Sequence, residues 1–208
     1  MQDIFTKIAQ MPLIAILRGI EPQEAGGVST ALVNGGIKFM EVTLNSPDWQ
    51  SSLEIMNDKH GDEIILGAGT VIQVEQVERL ADIGVKVIIS PNMDADIIKA
   101  TKARGMLSMP GCYTPSECFQ ALKFGADILK IFPADNLGVS HINALQAVLP
   151  KGTRICPTGG VSLSNMQSFQ KAGVFAMGMG SALYKPKKPT EEVEEAAKQF
   201  VSAYQSAL

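Results

Sequence analysis

Cysteine and histidine are scarce in this chain of 208 residues, which contains three cysteines and two histidines. They are Cys112, Cys118, Cys156, His60 and His141, and they follow neither the spacing of a zinc site nor that of a disulfide framework. We therefore predict no protein-bound metal. An odd number of cysteines without a pairing pattern indicates a reducing compartment, so a cytoplasmic location is expected.

An excess of charge of one sign and a long apolar run are also missing. The formal net charge is −3, whereas a nucleic-acid-binding protein would need a basic face. The apolar run at 11–17 ends at Arg18, lacks a signal-peptide cleavage site and is too short to cross a membrane. We predict neither a nucleic acid nor a membrane partner. A local site for an anionic small molecule remains compatible with this composition.

What is present is a repeated alternation of short apolar runs with amphipathic segments. The runs have the length and the Gly, Pro or Asn boundaries of strands that are buried on both faces. They lie at 13–17, 37–44, 63–67, 85–90, 106–109, 128–132, 154–157 and 174–178. Thr114, followed by Pro115 and Glu117, has the pattern of a capping box, and Ser46 before Pro47 is the expected cap of another helix.

Roughly eight strand–helix units in one short chain predict an α/β fold, namely a (β/α)8 TIM barrel. We expect a single domain over residues 1–208, with an N-terminal helix over 1–11 and a charged segment at 185–195 that opens the last helix. An open doubly wound sheet is the alternative. That fold would favour a G-x-G-x-x-G turn after an early strand, and the segment at 67–70 is too short to be one.

Lys130 stands out because it interrupts an apolar, strand-like run at 126–133. Burial disfavours the charged form of a lysine side chain, and a neutral amine can form a Schiff base with a ketone. Glu41 interrupts the run at 37–44 in the same way, and strand alternation places it on one face with Thr43 and Asn45. Glu41 and Lys130 aimed into one barrel mouth would make a proton shuttle and a nucleophile, although a structural ion pair is also possible.

Glycine pairs follow the last two predicted strands, where barrels commonly bind phosphate. Gly159, Gly160, Gly180 and the adjacent Ser181 could present backbone N–H groups to an anion. Arg18, at the end of the first strand, offers a planar guanidinium for a carboxylate or a phosphate. A phosphorylated small molecule is therefore the expected ligand.

Together these motifs resemble the 2-keto-3-deoxy-6-phosphogluconate and 6-phosphogalactonate aldolases. The resemblance rests on LIAILRG at 13–19, EVTL at 41–44, GAGTV at 67–71, ISPN at 89–92, PG at 110–111, LKIFPA at 129–134 and CPTGGV at 156–161. It implies a class I aldolase that needs no metal or other cofactor. It further implies a homotrimer that cleaves a phosphorylated 2-keto acid to pyruvate and D-glyceraldehyde 3-phosphate.

The resemblance also implies residue roles. Lys130 matches the Schiff-base lysine and Glu41 the general acid/base, while Arg18 and Thr70 match contacts near the pyruvate carboxylate. The phosphate cradle corresponds to Gly159, Gly160, Gly180 and Ser181.

The substrate epimer is less sharply defined. Asn45 stands where some phosphogluconate enzymes have arginine, and the segments at 12–20 and 44–49 are more similar to the phosphogalactonate branch. Thr158 is more similar to the phosphogluconate branch, so activity on both is open and phosphogalactonate is favoured. The alternatives are 4-hydroxy-2-oxoglutarate aldolase activity, a phosphate-binding barrel isomerase or epimerase, and a non-catalytic barrel.

Overall fold

The computed structural model describes residues 2–207, with Gln2 described only in its backbone. Its strands are β1 (Leu13–Leu17), β2 (Phe39–Thr43), β3 (Ile65–Gly69), β4 (Val87–Ile89), β5 (Leu107–Met109), β6 (Gly111–Cys112), β7 (Leu129–Ile131), β8 (Ile155–Pro157) and β9 (Met177–Met179). Each run predicted from the sequence contains or overlaps one of these strands. Glu63 differs, because it ends a short 3-10 helix, Gly61–Glu63, instead of opening β3.

Helices separate most of the strands along the chain. They are α1 (Gln2–Gln10), α2 (Pro22–Asn34), α3 (Trp49–His60), α4 (Val74–Ile83), α5 (Ala95–Ala103), α6 (Pro115–Phe124), α7 (Ala134–Val148), α8 (Met166–Lys171) and α9 (Thr190–Gln205). The helix predicted over 1–11 has its first residue outside the described part of the chain. No helix within residues 2–207 is both long and apolar enough to cross a membrane.

Helix starts follow local side-chain chemistry. Thr114 and Glu117 form the predicted capping box at α6, which satisfies backbone N–H groups at the start of that helix. The predicted cap at Ser46 is wrong, since α3 begins at Trp49 and Asp48 accepts the capping hydrogen bond. The Ser46 hydroxyl instead accepts a 2.8 Å hydrogen bond from the Gly19 N–H, which connects the loops that follow β1 and β2.

The strands pair in parallel within two hydrogen-bonded sheets. One sheet has the order β5-β4-β3-β2-β1-β9 and the other β6-β7-β8. The predicted (β/α)8 barrel is thus met only in part, as an α/β fold with parallel strands in two ladders. Pro110 separates β5 from β6, and a proline cannot donate the N–H that a continuous ladder would need.

The buried apolar residues form two layers that follow the strand alternation. The outer layer, between strands and helices, includes Met40, Val42, Leu129 and Ile131. The inner layer consists of Ile8, Ile14, Phe39, Ile65, Val87, Ile89, Leu107, Met109, Ile128, Cys156 and Ala176. Because Ile8 belongs to α1, this N-terminal helix packs against the inner layer.

Candidate active site

Lys130 occupies the middle of β7, where it pairs with Gly111 of β6 and Cys156 of β8. Its neighbours Leu129 and Ile131 belong to the outer layer, so the Lys130 side chain points inward, and it is only 5% exposed. The ammonium lies 5.1 Å from the centre of the Phe132 ring. The sequence-based prediction of a buried, inward-facing lysine is therefore correct.

Glu41 lies in the middle of β2 and is 2% exposed. Met40 and Val42 belong to the outer layer, which confirms that Glu41 faces inward like Lys130. Burial raises the pKa of the Glu41 carboxyl above its usual 4.5, while the positive charges of Lys130 and Arg18 act in the opposite direction. A carboxyl whose pKa is shifted toward neutrality is suited to give and take protons.

No ion pair within 4.0 Å joins Glu41 to Lys130 in the described part of the chain. Two buried charges that serve stability need close contact to offset the cost of removing them from water. The arrangement therefore disfavours a purely structural ion pair.

Gly69, at the end of β3, explains how the Glu41 carboxyl is held. A Cβ atom at this position would overlap Oε1 and Cδ of Glu41, and it would also lie 2.9 Å from Cγ. The carboxyl therefore packs directly on the backbone of β3, which only glycine permits. Gly69 is the second glycine of the GAG segment at 67–69, and the need for glycine at this position could not be predicted from strand periodicity alone.

If Glu41 is the general acid/base that the sequence resemblance implies, Gly69→Ala should lower kcat for cleavage of the phosphorylated 2-keto acid by roughly 100-fold, because a displacement of about 1 Å in a catalytic group can have that effect. Adduct formation between pyruvate and Lys130 should still occur. Steady-state kinetics and mass spectrometry measure the two quantities. Gly26→Ala in α2 is the control, because its Cβ would make only ordinary contacts at 3.6 Å or more. Unchanged kinetics in Gly69→Ala would contradict the described position of Glu41.

A cavity of about 740 Å³ lies beside Lys130. Its lining residues are Ile16, Arg18, Lys130, Phe132, Thr158, Gly159, Gly160, Val161, Ser162, Gly180, Ser181, Ala182, Tyr184, Lys185 and Pro186. The structure thus brings together six of the eight residues predicted from the sequence. Glu41 and Thr70 do not line it.

The loop after β8 is folded so that backbone N–H groups remain available. Gly159 and Gly160 have φ angles of 88° and 78°, a left-handed conformation that favours glycine. Asn165 holds the loop by accepting a 2.9 Å hydrogen bond from the Ser162 N–H and donating one of 2.8 Å to the Gly160 carbonyl. The parallel bridge between Thr158 and Gly178 directs the Gly159 N–H toward the neighbouring strand, whereas within residues 2–207 no hydrogen bond to a protein acceptor is found for the N–H groups of Gly160, Gly180 and Ser181. Such groups suit an anion.

Arg18 and Thr70 occupy the rim of the sheet in different ways. Arg18 is exposed and donates a 3.2 Å hydrogen bond from Nη1 to Oδ1 of Asn45, so its guanidinium lies near the ends of β1 and β2. Thr70 directly follows Gly69 and has a φ of 58°, which is uncommon for a residue other than glycine. Thr70 does not line the cavity, and its predicted substrate contact stays a prediction. It lies in the turn that follows β3, the strand on which the Glu41 carboxyl packs.

Lys185 is a lining residue to which the sequence interpretation gave no role in the site. The charged segment at 185–195 was expected to open the last helix, and α9 does begin within it, at Thr190, while Lys185 lies ahead of the helix and borders the cavity. The signal was available, because the segment that follows Gly180 and Ser181 belongs to the same rim. Thr158, buried beside the cavity, was noted for its bearing on the epimer but not as a site residue.

A metal centre finds no support in the described residues, which contain no group of three or more His, Cys, Asp or Glu side chains placed to hold an ion. The family model described as "KDPG and KHG aldolase" matches residues 4–198.

The chain belongs to this aldolase family.

Curated relatives of the family span nearly the whole chain. The 2-dehydro-3-deoxy-6-phosphogalactonate aldolase of Escherichia coli is 41% identical over 199 residues, which is 96% of this chain and 97% of the relative. The probable enzyme of the same name from Rhizobium meliloti is 43% identical, covering 94% and 92%. The 2-dehydro-3-deoxy-phosphogluconate aldolase of Zymomonas mobilis is 28% identical, covering 100% and 99%.

Solved structures of the family agree with the fold. One described as the native KDPGal structure matches with a TM-score of 0.93 and 41% identity, covering 95% of this chain and 96% of that one. The KDPG aldolase of Legionella pneumophila, with pyruvate captured at low pH as a covalent carbinolamine intermediate, matches with a TM-score of 0.85 and 27% identity, covering 93% and 96%.

Proposed function

We propose that this family member cleaves 2-keto-3-deoxy-6-phosphogalactonate to pyruvate and D-glyceraldehyde 3-phosphate through a Schiff base on Lys130. The inward-facing, buried Lys130 beside a cavity lined by the glycine loops that follow β8 and β9 is the observation that carries the proposal. The covalent pyruvate intermediate of the Legionella pneumophila relative supports a covalent route. The 2-keto-3-deoxy-6-phosphogluconate epimer is a second substrate, in line with the more distant relatives.

The proposed reaction takes place at the mouth of one closed (β/α)8 barrel within a single domain. Only Pro110 separates β5 from β6, so the two segments count as one strand and eight strands result. An isolated parallel bridge between Thr158 and Gly178 connects the edge strands β8 and β9. Ile14 of one sheet and Cys156 of the other share the inner apolar layer, which also supports closure.

The first chemical step forms the Schiff base. The Lys130 amine attacks the C2 ketone of the substrate, which gives a carbinolamine. Protonation of the C2 hydroxyl by the Glu41 carboxyl lets that oxygen leave as water, and the lone pair of the nitrogen forms the iminium. The raised pKa of Glu41 suits this role, because the carboxyl retains a proton at higher pH than an ordinary glutamate.

Carbon–carbon cleavage follows from the iminium. Glu41, now a carboxylate, takes the proton of the C4 hydroxyl, directly or through water, so that the C4 carbonyl forms. The electrons of the C3–C4 bond move to the iminium and leave an enamine of pyruvate on Lys130. Glyceraldehyde 3-phosphate departs, C3 is protonated, and water releases pyruvate and the free amine.

Binding of the two charged ends fixes the reacting carbons between these groups. We propose that Arg18 binds the carboxylate and that the N–H groups of Gly159, Gly160, Gly180 and Ser181 bind the phosphate. Thr70 is proposed to act from the turn after β3, near the pyruvate carboxylate. When both ends of the substrate are bound, its reacting carbons are held in a fixed orientation, so the reaction proceeds as an effectively unimolecular step.

Incubation with pyruvate followed by borohydride reduction tests the assignment. We expect one stable adduct, located on Lys130 by peptide mass spectrometry. An adduct on another lysine, or none, would overturn the Schiff-base mechanism. For the epimer, kcat/KM on both phosphorylated acids is decisive, and the higher value is expected for phosphogalactonate, in line with the names of the Escherichia coli and Rhizobium meliloti relatives. Because the family model also names KHG, 4-hydroxy-2-oxoglutarate is a useful third substrate.

We further propose that the chain forms a homotrimer, as the sequence resemblance implies. Several apolar side chains are exposed in the isolated chain, among them Ile72 at 54%, Tyr113 at 45% and Phe119 at 45%. A contact between subunits would cover such surface. Size-exclusion chromatography with light scattering measures the molar mass in solution, and it distinguishes a trimer from a single chain of 22.2 kDa.

A further inference from the structure

We propose that Lys185 binds the phosphate group of the substrate and supplies the positive charge that the glycine loops lack. This inference rests on the proposed function, because it concerns the phosphate end of the same cavity. Lys185 lines that cavity together with Gly159, Gly160, Gly180 and Ser181. Nothing in the family comparisons or the sequence motifs assigns it a role.

The charges around the cavity favour this assignment. Its charged lining residues are all basic, namely Arg18, Lys130 and Lys185, and the Asp135 carboxylate packs on Gly160 without lining the cavity. The substrate carries a carboxylate and a phosphate of about −1.5 to −2 charge. If Arg18 pairs with the carboxylate and Lys130 bonds to C2, Lys185 is the remaining cation for the phosphate. Backbone N–H groups orient a phosphate but cannot neutralise it.

The backbone around Lys185 is held in place from both sides. Tyr184 is buried and its hydroxyl donates a 3.3 Å hydrogen bond to Oε1 of Glu24. The Lys185 carbonyl accepts a 3.1 Å hydrogen bond from the Lys188 N–H. Pro186 packs closely on Gly19, since a Cβ atom at Gly19 would lie only 2.9 Å from Cγ of Pro186. The segment therefore presents Lys185 at a fixed part of the rim.

The ammonium of Lys185 is also available for a ligand. In the part of the chain that the structure describes, no carboxylate lies within 4.0 Å of its Nζ. Lys188 differs, because its Nζ donates a 2.9 Å hydrogen bond to the Leu183 carbonyl and thereby fastens the segment. Lys185 is exposed, so its replacement should not disturb folding.

The test compares Lys185→Met with Lys185→Arg and with Lys187→Met. Lys187 lies two residues further along the same exposed segment but does not line the cavity. Because Lys187→Met and Lys185→Met each remove one lysine, the two variants have the same net charge. The measured quantities are KM for the phosphorylated substrate and the inhibition constant of inorganic phosphate. A charge-assisted hydrogen bond is lost, so both should rise roughly 10- to 100-fold in Lys185→Met. Lys185→Arg should recover part of the loss.

Two outcomes would overturn the inference. One is a Lys185→Met enzyme whose KM and phosphate inhibition stay within about twofold of the wild-type values. The other is an equal loss in Lys187→Met, which would indicate a general effect of net charge. Borohydride trapping of pyruvate on Lys130 separates this result from the proposed function. If the wild-type enzyme forms that adduct, the Schiff-base assignment stands whatever Lys185 does, and if it does not, the assignment fails on its own.

Discussion

Lys130→Met is expected to abolish aldol cleavage, with kcat/KM reduced roughly 10⁴-fold or more, the scale on which enzymes lose rate when a nucleophile is removed. Methionine has a similar length and also suits a buried position, but it cannot form an imine. The adduct formed with pyruvate and borohydride should disappear together with the activity. Both losses follow from one missing amine, so they should be measured on the same preparation.

The controls for Lys130→Met separate chemistry from folding. Because the substitution removes a buried ammonium that has no ion-pair partner within 4.0 Å among the described residues, the thermal midpoint should not fall. Lys123→Met, on the exposed side of α6, should retain wild-type kinetics. Substantial cleavage by Lys130→Met in a folded protein would contradict the mechanism. Retained cleavage with trapping on a second lysine would move the nucleophile elsewhere.

The inward orientation of Lys130 and Glu41 could be predicted because a strand has a period of two residues. Each of the two charged residues has apolar neighbours on both sides, so only the alternation of side chains along the strand indicates which way it points. That alternation puts Glu41 on the same face as Phe39, and Lys130 on the same face as Ile128. Strand positions were predictable for a related reason. Strands buried on both faces are continuous apolar runs that stand out between polar helices.

Other features depend on backbone geometry or on contacts that are distant in sequence. Pro110 interrupts the hydrogen-bonded ladder between β5 and β6 because proline has no backbone N–H to donate. The proline is visible in the sequence, but the pattern of apolar residues from which strands are predicted does not show its effect. The fit of Glu41 on Gly69 joins two strands that pair in space, so neither run predicts it alone. The place of Lys185 at the cavity could not be predicted either, because it follows from the contacts of Tyr184 with Glu24 and of Pro186 with Gly19, which are distant in sequence.

Glu41→Gln is the second decisive substitution, and we expect kcat to fall by about 10² to 10⁴, the range typical of a lost general acid/base. Glutamine has nearly the same shape, so it should occupy the same place against Gly69 without transferring protons. Binding of the substrate at its two charged ends should change little, which leaves KM within a few-fold of the wild type. Trapping of pyruvate on Lys130 should become slower, because dehydration of the carbinolamine needs the acid.

The pH dependence gives a further test of the same substitution. As the base that takes the C4 hydroxyl proton, Glu41 must be ionised, so wild-type activity should fall as the pH decreases through its pKa. Since burial raises that pKa above 4.5, the acidic limb should lie at higher pH than for an ordinary glutamate. Glu41→Gln should lack this limb. An identical acidic limb in both proteins would assign it to another group.

Stability distinguishes a catalytic Glu41 from a structural one, because the two roles predict opposite signs. A carboxyl whose pKa is raised on folding contributes stability that is fully present below its unfolded pKa and is lost as the pH rises through the folded value. At any pH above its unfolded pKa, Glu41 therefore destabilises the wild-type protein, and Glu41→Gln should melt at a higher temperature, with the difference shrinking toward acidic pH. If Glu41 served a stabilising ion pair with Lys130, the same change would instead cost about 3–5 kcal/mol. A more stable and nearly inactive Glu41→Gln enzyme would show that the position is kept for proton transfer at the expense of stability, as expected for a catalytic group.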